Sequence, residues 1–256
     1  MSKIFYIFEM ANNHMGSVDH AKKIIDDFSD LAKRKKLNAG VKLQFRNLDT
    51  FIHPDYKDRN DLKYIKRFNE TRLSKEQFGD IINYIHSKEL LSVSTPFDNE
   101  SLPLFDELGV EVLKIASCSV DDWPLLNEVS NINRKIIIST GGATIKNLKK
   151  VHNLFKSKGR DFAFLHCIAE YPTPIENAFL YRIKKLKEEF PDIEIGYSTH
   201  EGPDTKSVSP YAVAMGATII EKHIGKKTDT IDLNAYSCTA AQMEVVVDEI
   251  QLLETA

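Results

Sequence analysis

The sequence predicts an α/β chain folded as one (β/α)8 TIM barrel over residues 1–256, on three observations. Eight short apolar runs, rich in β-branched and aromatic residues, recur along the chain. Longer stretches with apolar residues at helical spacing separate them, the alternation that builds a parallel sheet covered by helices. The length matches the roughly 250 residues of a single barrel. An open doubly wound sheet is the alternative; no glycine-rich turn follows the first run, which disfavours its dinucleotide-binding form.

In order, the runs are IFYIFEM (4–10), GVKLQF (40–45), LLSVSTPF (90–97), EVLKIAS (111–117), KIIIST (135–140), FAFLHCI (162–168), EIGYSTH (194–200) and ATIIEKHI (217–224). Most are apolar on both faces, as strands covered on both sides require. Helix starts are marked as well. Ser17 precedes a stripe of Val18, Ala21, Ile24, Ile25 and Phe28, the spacing of one buried helix face. Ser74 with Gln77, and Thr239 with Gln242, form capping-box patterns ahead of further stripes. Gly159 and Gly216 stand where a left-handed residue ends a helix. The cluster Lys33-Arg34-Lys35-Lys36 reads as solvated cations at a helix C-terminus. Residues 46–73 form an expected long loop after the second strand, and their mix of aromatic and charged side chains suits an active-site cover.

A net charge of −3 gives no basic field for nucleic acid. No apolar run approaches the 18 residues of a membrane span, and the first residues lack the pattern of a signal peptide. Three widely spaced cysteines, Cys118, Cys167 and Cys238, suggest neither a disulfide framework nor a zinc knuckle. A cytoplasmic, reducing compartment is the expectation.

Active sites of this barrel lie at the C-terminal strand ends. There the runs place Glu9, followed by Asn12, Asn13 and His14; Lys42 and Gln44; Ser94 and Thr95; Lys114 and Ser117; Ser139 and Thr140; His166 and Cys167; Ser198 and His200; Glu221 and His223. Residues two apart share a strand face. Lys42 therefore pairs with Gln44, Ser198 with His200, and Glu221 with His223, while Lys222 falls on the opposite face. A single Lys or His at a strand end is ordinarily structural. Eight strands bringing polar ends to one rim is not a solvated-surface pattern. His166 stays open between structural support and site.

Lys42 and Lys114, with Thr95, Ser117, Ser139 and Gln44, suit a phosphate or carboxylate. His200 and His223 on adjacent strands suit a shared divalent metal. Glu9 and Glu221 suit acid–base work or orientation of a water. Together these fit carbon–carbon bond formation at a carbonyl.

At this point the residues resemble a family. EMANNHMGSVDHAKKII, VKLQ, STPFD, KIAS, ISTGG, LHC with YPTP, GYSTHE and EKHI follow one another in the order seen in the sialic acid synthase (N-acetylneuraminate synthase) family. The resemblance covers nearly the whole chain and implies a (β/α)8 barrel. It implies condensation of phosphoenolpyruvate with an open-chain N-acylhexosamine, such as N-acetylmannosamine, and water, giving a nonulosonic acid and phosphate. It implies that Lys42, Thr95, Lys114, Ser117, Ser139 and Ser198 hold phosphoenolpyruvate. His200 and His223 would bind a divalent ion, manganese first, with magnesium or cobalt as alternatives. Glu221 would activate water, and Glu9, Gln44 and Tyr171 would contact the reacting groups or the sugar. Two positions depart from the family pattern. Ser119 stands where an acidic residue is frequent, and Ala169 replaces an Asn of the sixth-strand loop. The family usually carries a small C-terminal antifreeze-like domain, whereas this chain stops at Ala256. Either it is a piece of a longer protein, or another element, such as residues 46–73, closes the site. A homodimer is an allowed assembly. Two other readings stay open: a Schiff-base aldolase using Lys114 or Lys222, and a non-catalytic sugar- or phosphate-binding barrel.

Overall fold

The computed structural model describes residues 4–204 and 206–255. Eight parallel strands close into a barrel in sequence order: β1 (Phe5–Glu9), β2 (Asn38–Phe45), β3 (Leu91–Pro96), β4 (Val112–Ile115), β5 (Lys135–Ser139), β6 (Phe162–Cys167), β7 (Glu194–Thr199) and β8 (Ile219–His223). The closure runs from Phe5 opposite Ile219 to Glu9 opposite His223. The helices are α1 (Val18–Lys35), α2 (Leu48–Phe51), α3 (Lys63–Glu70), α4 (Lys75–Ser87), α5 (Pro103–Glu107), α6 (Trp123–Val129), α7 (Ile145–Ser157), α8 (Tyr181–Glu189), α9 (Ser209–Ala214) and α10 (Ala240–Thr255). None of the described helices is long and apolar enough to cross a membrane.

The expected caps form. Ser17 accepts from the His20 amide, and Ser74 and Gln77 complete a capping box. Thr239 and Gln242 exchange bonds of the same kind ahead of α10. Gly159 and Gly216 have φ of +63° and +97°, the backbone that favours glycine. Two expectations need correction. The basic cluster at the end of α1 is not simply solvated: Arg34 bonds Glu244 at 2.6 Å and Lys35 bonds Asp248 at 2.6 Å, tying α1 to α10. The segment 46–73 is not a plain loop, because α2 and α3 lie within it. Its helices were hidden because α3 has no buried residue. Phe68 packs on Phe51 and the Arg46 guanidinium, with no stripe facing the barrel wall.

The barrel interior explains where polar residues can go. Phe5, Ile7, Val93, Val112, Ile137, Ala163, Leu165 and Ile219 form an apolar cluster separate from the main core between barrel and helices. Two residues further along the same inward phase stand Glu9, Thr95, Lys114, Ser139, Cys167 and Glu221. Lys42 and Ser198 follow Gly40 and Gly196 in the same way. An apolar floor thus lies directly under a polar layer. Gly196 lets the floor close: a Cβ there would meet Leu165 Cδ2 at 2.5 Å and Ile219 O at 2.6 Å. Gly196→Ala is expected to destabilise the protein by about 1–3 kcal/mol through overpacking, measured by denaturant unfolding. An unchanged midpoint would show that the wall yields without strain.

Candidate active site

A cavity of about 540 Å³ opens over the polar layer, at the C-terminal strand ends. Glu9, Lys42, Gln44, Thr95, Lys114, Ser117, Ser139, Tyr171, Ser198, His200, Glu221 and His223 all line it. The polar neighbours that do not are explained by strand phase. Ser94 points outward and donates to Leu43 O, and Thr140 donates to Leu165 O. His166 bonds Ala178 O at 2.8 Å and stacks on Tyr197, so its role is structural. Asn12 reaches the cavity, whereas Asn13 bonds Ile224 O and Ser237 and ties the turn after β1 to the segment after β8.

The centre of the site is a buried charge lattice. Lys42 Nζ stands 2.5 Å from Glu9 Oε2 and 3.0 Å from Glu221 Oε1. Lys114 Nζ donates to Ser139 Oγ at 2.6 Å and to Ile115 O at 3.1 Å, and lies 3.9 Å from Glu221 Oε2. Ser198 donates to Glu221 Oε1 at 2.9 Å, and Gln44 Nε2 to Glu9 Oε1 at 3.1 Å. Burial pushes Lys42 down to about 8 against the pull of Glu221, with Lys114 adding like-charge repulsion. Burial alone would raise Glu221, but Lys114 and Lys42 outweigh it and hold the carboxyl ionised. Thr95 Oγ1 is buried with no hydrogen-bond partner among the described residues and lines the same cavity as a spare donor.

Beside the lattice, the rings of His200 and His223 stand 5.3 Å apart. Burial lowers His200 to about 4 and His223 well below its ordinary value, so both are neutral near pH 7. The Ile168 carbonyl, 2.9 Å from His200 Nδ1, can only accept, so Nδ1 carries the proton and Nε2 keeps a lone pair. Tyr171 packs on His200 at 4.1 Å and Tyr236 on His223 at 4.9 Å, between ring centroids.

Lys222 is outside the cavity. It is 2% exposed and pairs with the equally buried Glu201 at 3.3 Å, behind the wall that carries the two histidines. That placement removes it as a Schiff-base lysine. Breaking one side leaves a buried charge uncompensated. Lys222→Met is therefore expected to cost about 3–5 kcal/mol. Lys222→Met with Glu201→Leu should recover most of it, as thermal unfolding would reveal. A double variant as unstable as the single one would show that the pair contributes more than mutual neutralisation.

Sequence reasoning missed Arg46, Lys63, Arg67, Asn234 and Tyr236, which also line the cavity. Arg46 continues the inward phase of Lys42 and Gln44 and was open to detection. Tyr236 and Asn234 come from the irregular segment after β8, where no periodicity reports direction.

Known proteins agree with this architecture. A model described as the NeuB family matches residues 30–256. An N,N'-diacetyllegionaminic acid synthase of Campylobacter jejuni is 30% identical over 91% of this chain and 70% of its own length. A solved Chromobacterium violaceum structure, assigned to spore coat polysaccharide biosynthesis, is 42% identical with a TM-score of 0.96, over 99% of this chain and 76% of that one. An N-acetylneuraminic acid synthetase structure from Leptospira borgpetersenii is 29% identical with a TM-score of 0.85, over 98% of this chain and 84% of that one. The chain belongs to the NeuB family and is an enzyme of the sugar-acid synthase kind.

Proposed function

We propose that this enzyme condenses phosphoenolpyruvate with the open-chain form of an N-acylhexosamine and water, releasing phosphate and a nonulosonic acid. The observation that carries the reading is one cavity in which two buried lysines face two buried glutamates beside a pair of neutral imidazoles. Lys114 and Lys42, with Thr95, Ser117, Ser139 and Ser198, hold the phosphoenolpyruvate anion. Glu9, Gln44 and Tyr171 face the acceptor.

Carbon 3 of the enol phosphate bonds to the aldehyde carbon, whose oxygen takes a proton. Water adds at carbon 2 and gives a proton to Glu221. The bond from carbon 2 to the phosphate oxygen then breaks. Phosphate leaves with the electron pair and takes the proton of the new carbon 2 hydroxyl, which becomes the ketone. The proton held by Glu221 replaces the one taken up by the aldehyde oxygen. The lattice suits this order. While empty, Lys42 and Lys114 hold Glu221 as a weak base. An anionic substrate supplies those lysines with a new counter-charge, and the basicity of Glu221 rises when water must be deprotonated.

His200 and His223 are the residues to hold a divalent ion, with manganese the first choice. His223 Nδ1 is buried without a hydrogen-bond partner among the described residues. Ring nitrogens ligate at about 2.0–2.1 Å, and the 5.3 Å between ring centroids allows one ion to reach both. No cluster of three or more His, Cys, Asp or Glu is arranged for a metal among the described residues, so the protein offers two donors and leaves the rest to water and substrate. Such an ion supplies Lewis-acid polarisation of the acceptor carbonyl.

The test is phosphate release from phosphoenolpyruvate with a panel of acetamido sugars and Mn²⁺, expected to require both sugar and metal. Silence across the panel in folded protein would favour a binding barrel. Borohydride with pyruvate should leave the protein mass unchanged; an adduct on Lys114 would instead favour the aldolase.

A further inference from the structure

The segment 46–73 divides its arginines by partner. Arg59 and Arg72 do not line the cavity, and each pairs with an aspartate at 2.7 Å, Asp61 and Asp49. Arg46 and Arg67, with Lys63, line the cavity, and none of the three side chains has an ion pair or hydrogen bond among the described residues. The segment is not short of acid groups, since Asp55, Asp58 and Glu70 are also in it. Its cavity-facing cations form no direct ion pair with these carboxylates, and Asp98 acts on Arg46 only from a distance. In the inner lattice, by contrast, two lysines meet two glutamates.

Arg46 is also held in place. Its guanidinium stacks 3.7 Å from the centroid of Phe97 and 4.7 Å from that of Phe68, and its Nε is buried without a hydrogen-bond partner among the described residues. Aromatic faces fix the plane of the fork without using its donors, which suits an oxyanion. At about 3.3 Å per residue, its backbone sits about 13 Å beyond Lys42 along the direction of β2. That puts it at the mouth, away from the reacting centre.

We propose that Arg46, Lys63 and Arg67 form a second anion subsite, which takes a phosphate monoester on the acceptor sugar at the end remote from its reacting carbonyl. This rests on reading the cavity as that of a phosphoenolpyruvate-dependent synthase. The inner lysines take the first anion and the mouth takes the second, so the acceptor is held by both ends with its carbonyl facing inward.

Calorimetry on the full chain tests this with two probes, N-acetylmannosamine and its 6-phosphate. The wild-type chain should bind the phosphate about ten- to a hundredfold more tightly, the range of charge-assisted hydrogen bonds. Arg46→Met and Arg67→Gln should each pull that ratio toward one. Arg67 is half-exposed on a surface helix, so its variant gives an answer even if Arg46→Met unfolds. The ratio should survive in Lys114→Met, which removes an inner cation. No preference in the wild-type chain, a ratio unchanged by both mouth variants, or a ratio lost in Lys114→Met would each overturn the subsite. Phosphate-sensitive binding in a chain that never consumes phosphoenolpyruvate would keep the subsite and remove the synthase reading.

Discussion

Glu221→Gln is expected to lower kcat by about 10²- to 10⁴-fold, the range for loss of a general base, in an assay of phosphate release from phosphoenolpyruvate. The amide keeps the shape and accepts from Ser198, but cannot take a proton from water. Its second effect separates it from simple damage. Glu221 is the anion shared by Lys42 and Lys114, at 3.0 and 3.9 Å. Without its charge both lysines have less counter-charge, and phosphoenolpyruvate should bind the variant at least as tightly as the parent. A kcat within threefold of the parent, or a large loss of phosphoenolpyruvate affinity, would remove Glu221 from its role.

His223→Ala is expected to abolish turnover and to weaken Mn²⁺ binding by more than about a hundredfold, since even groups supporting a ligand are worth 10–100-fold. Titration of bound Mn²⁺ by electron paramagnetic resonance reads this without reference to catalysis. Retained metal affinity in a folded variant would show that His223 is not a ligand. Its burial and neutral ring would then serve packing against Tyr236.

Much of the fold and most of the site were legible because both obey a period of two. The step from Ile7 to Glu9, or from Ile219 to Glu221, carries the chain from floor to polar layer while keeping the inward phase, and a sequence displays that phase directly. The same rule assigned Lys222 to the outer face, where it pairs with Glu201. Where periodicity ends, legibility ends. The α3 helix buries no residue, so its sequence carried no stripe to read. Tyr236 reaches His223 from an irregular segment whose path depends on tertiary contacts, including the bond from Asn13 to Ser237. Arg46 is a different case: it continues the phase of Lys42 and Gln44 but lies one residue beyond the apolar run that ends at Phe45.

The apolar floor imposes an itinerary. Beneath Lys114 and Glu221 the barrel is plugged by Phe5, Ile7, Val93 and Ile137, so the well has one door. Whatever rests deepest must arrive before anything that sits above it and can depart only afterwards. With phosphoenolpyruvate lowest, kinetics should show compulsory sequence, the enol phosphate entering ahead of the sugar and inorganic phosphate trailing the acid outward. A dead-end sugar analogue that enters the empty well should then obstruct phosphoenolpyruvate, raising its KM as well as lowering kcat.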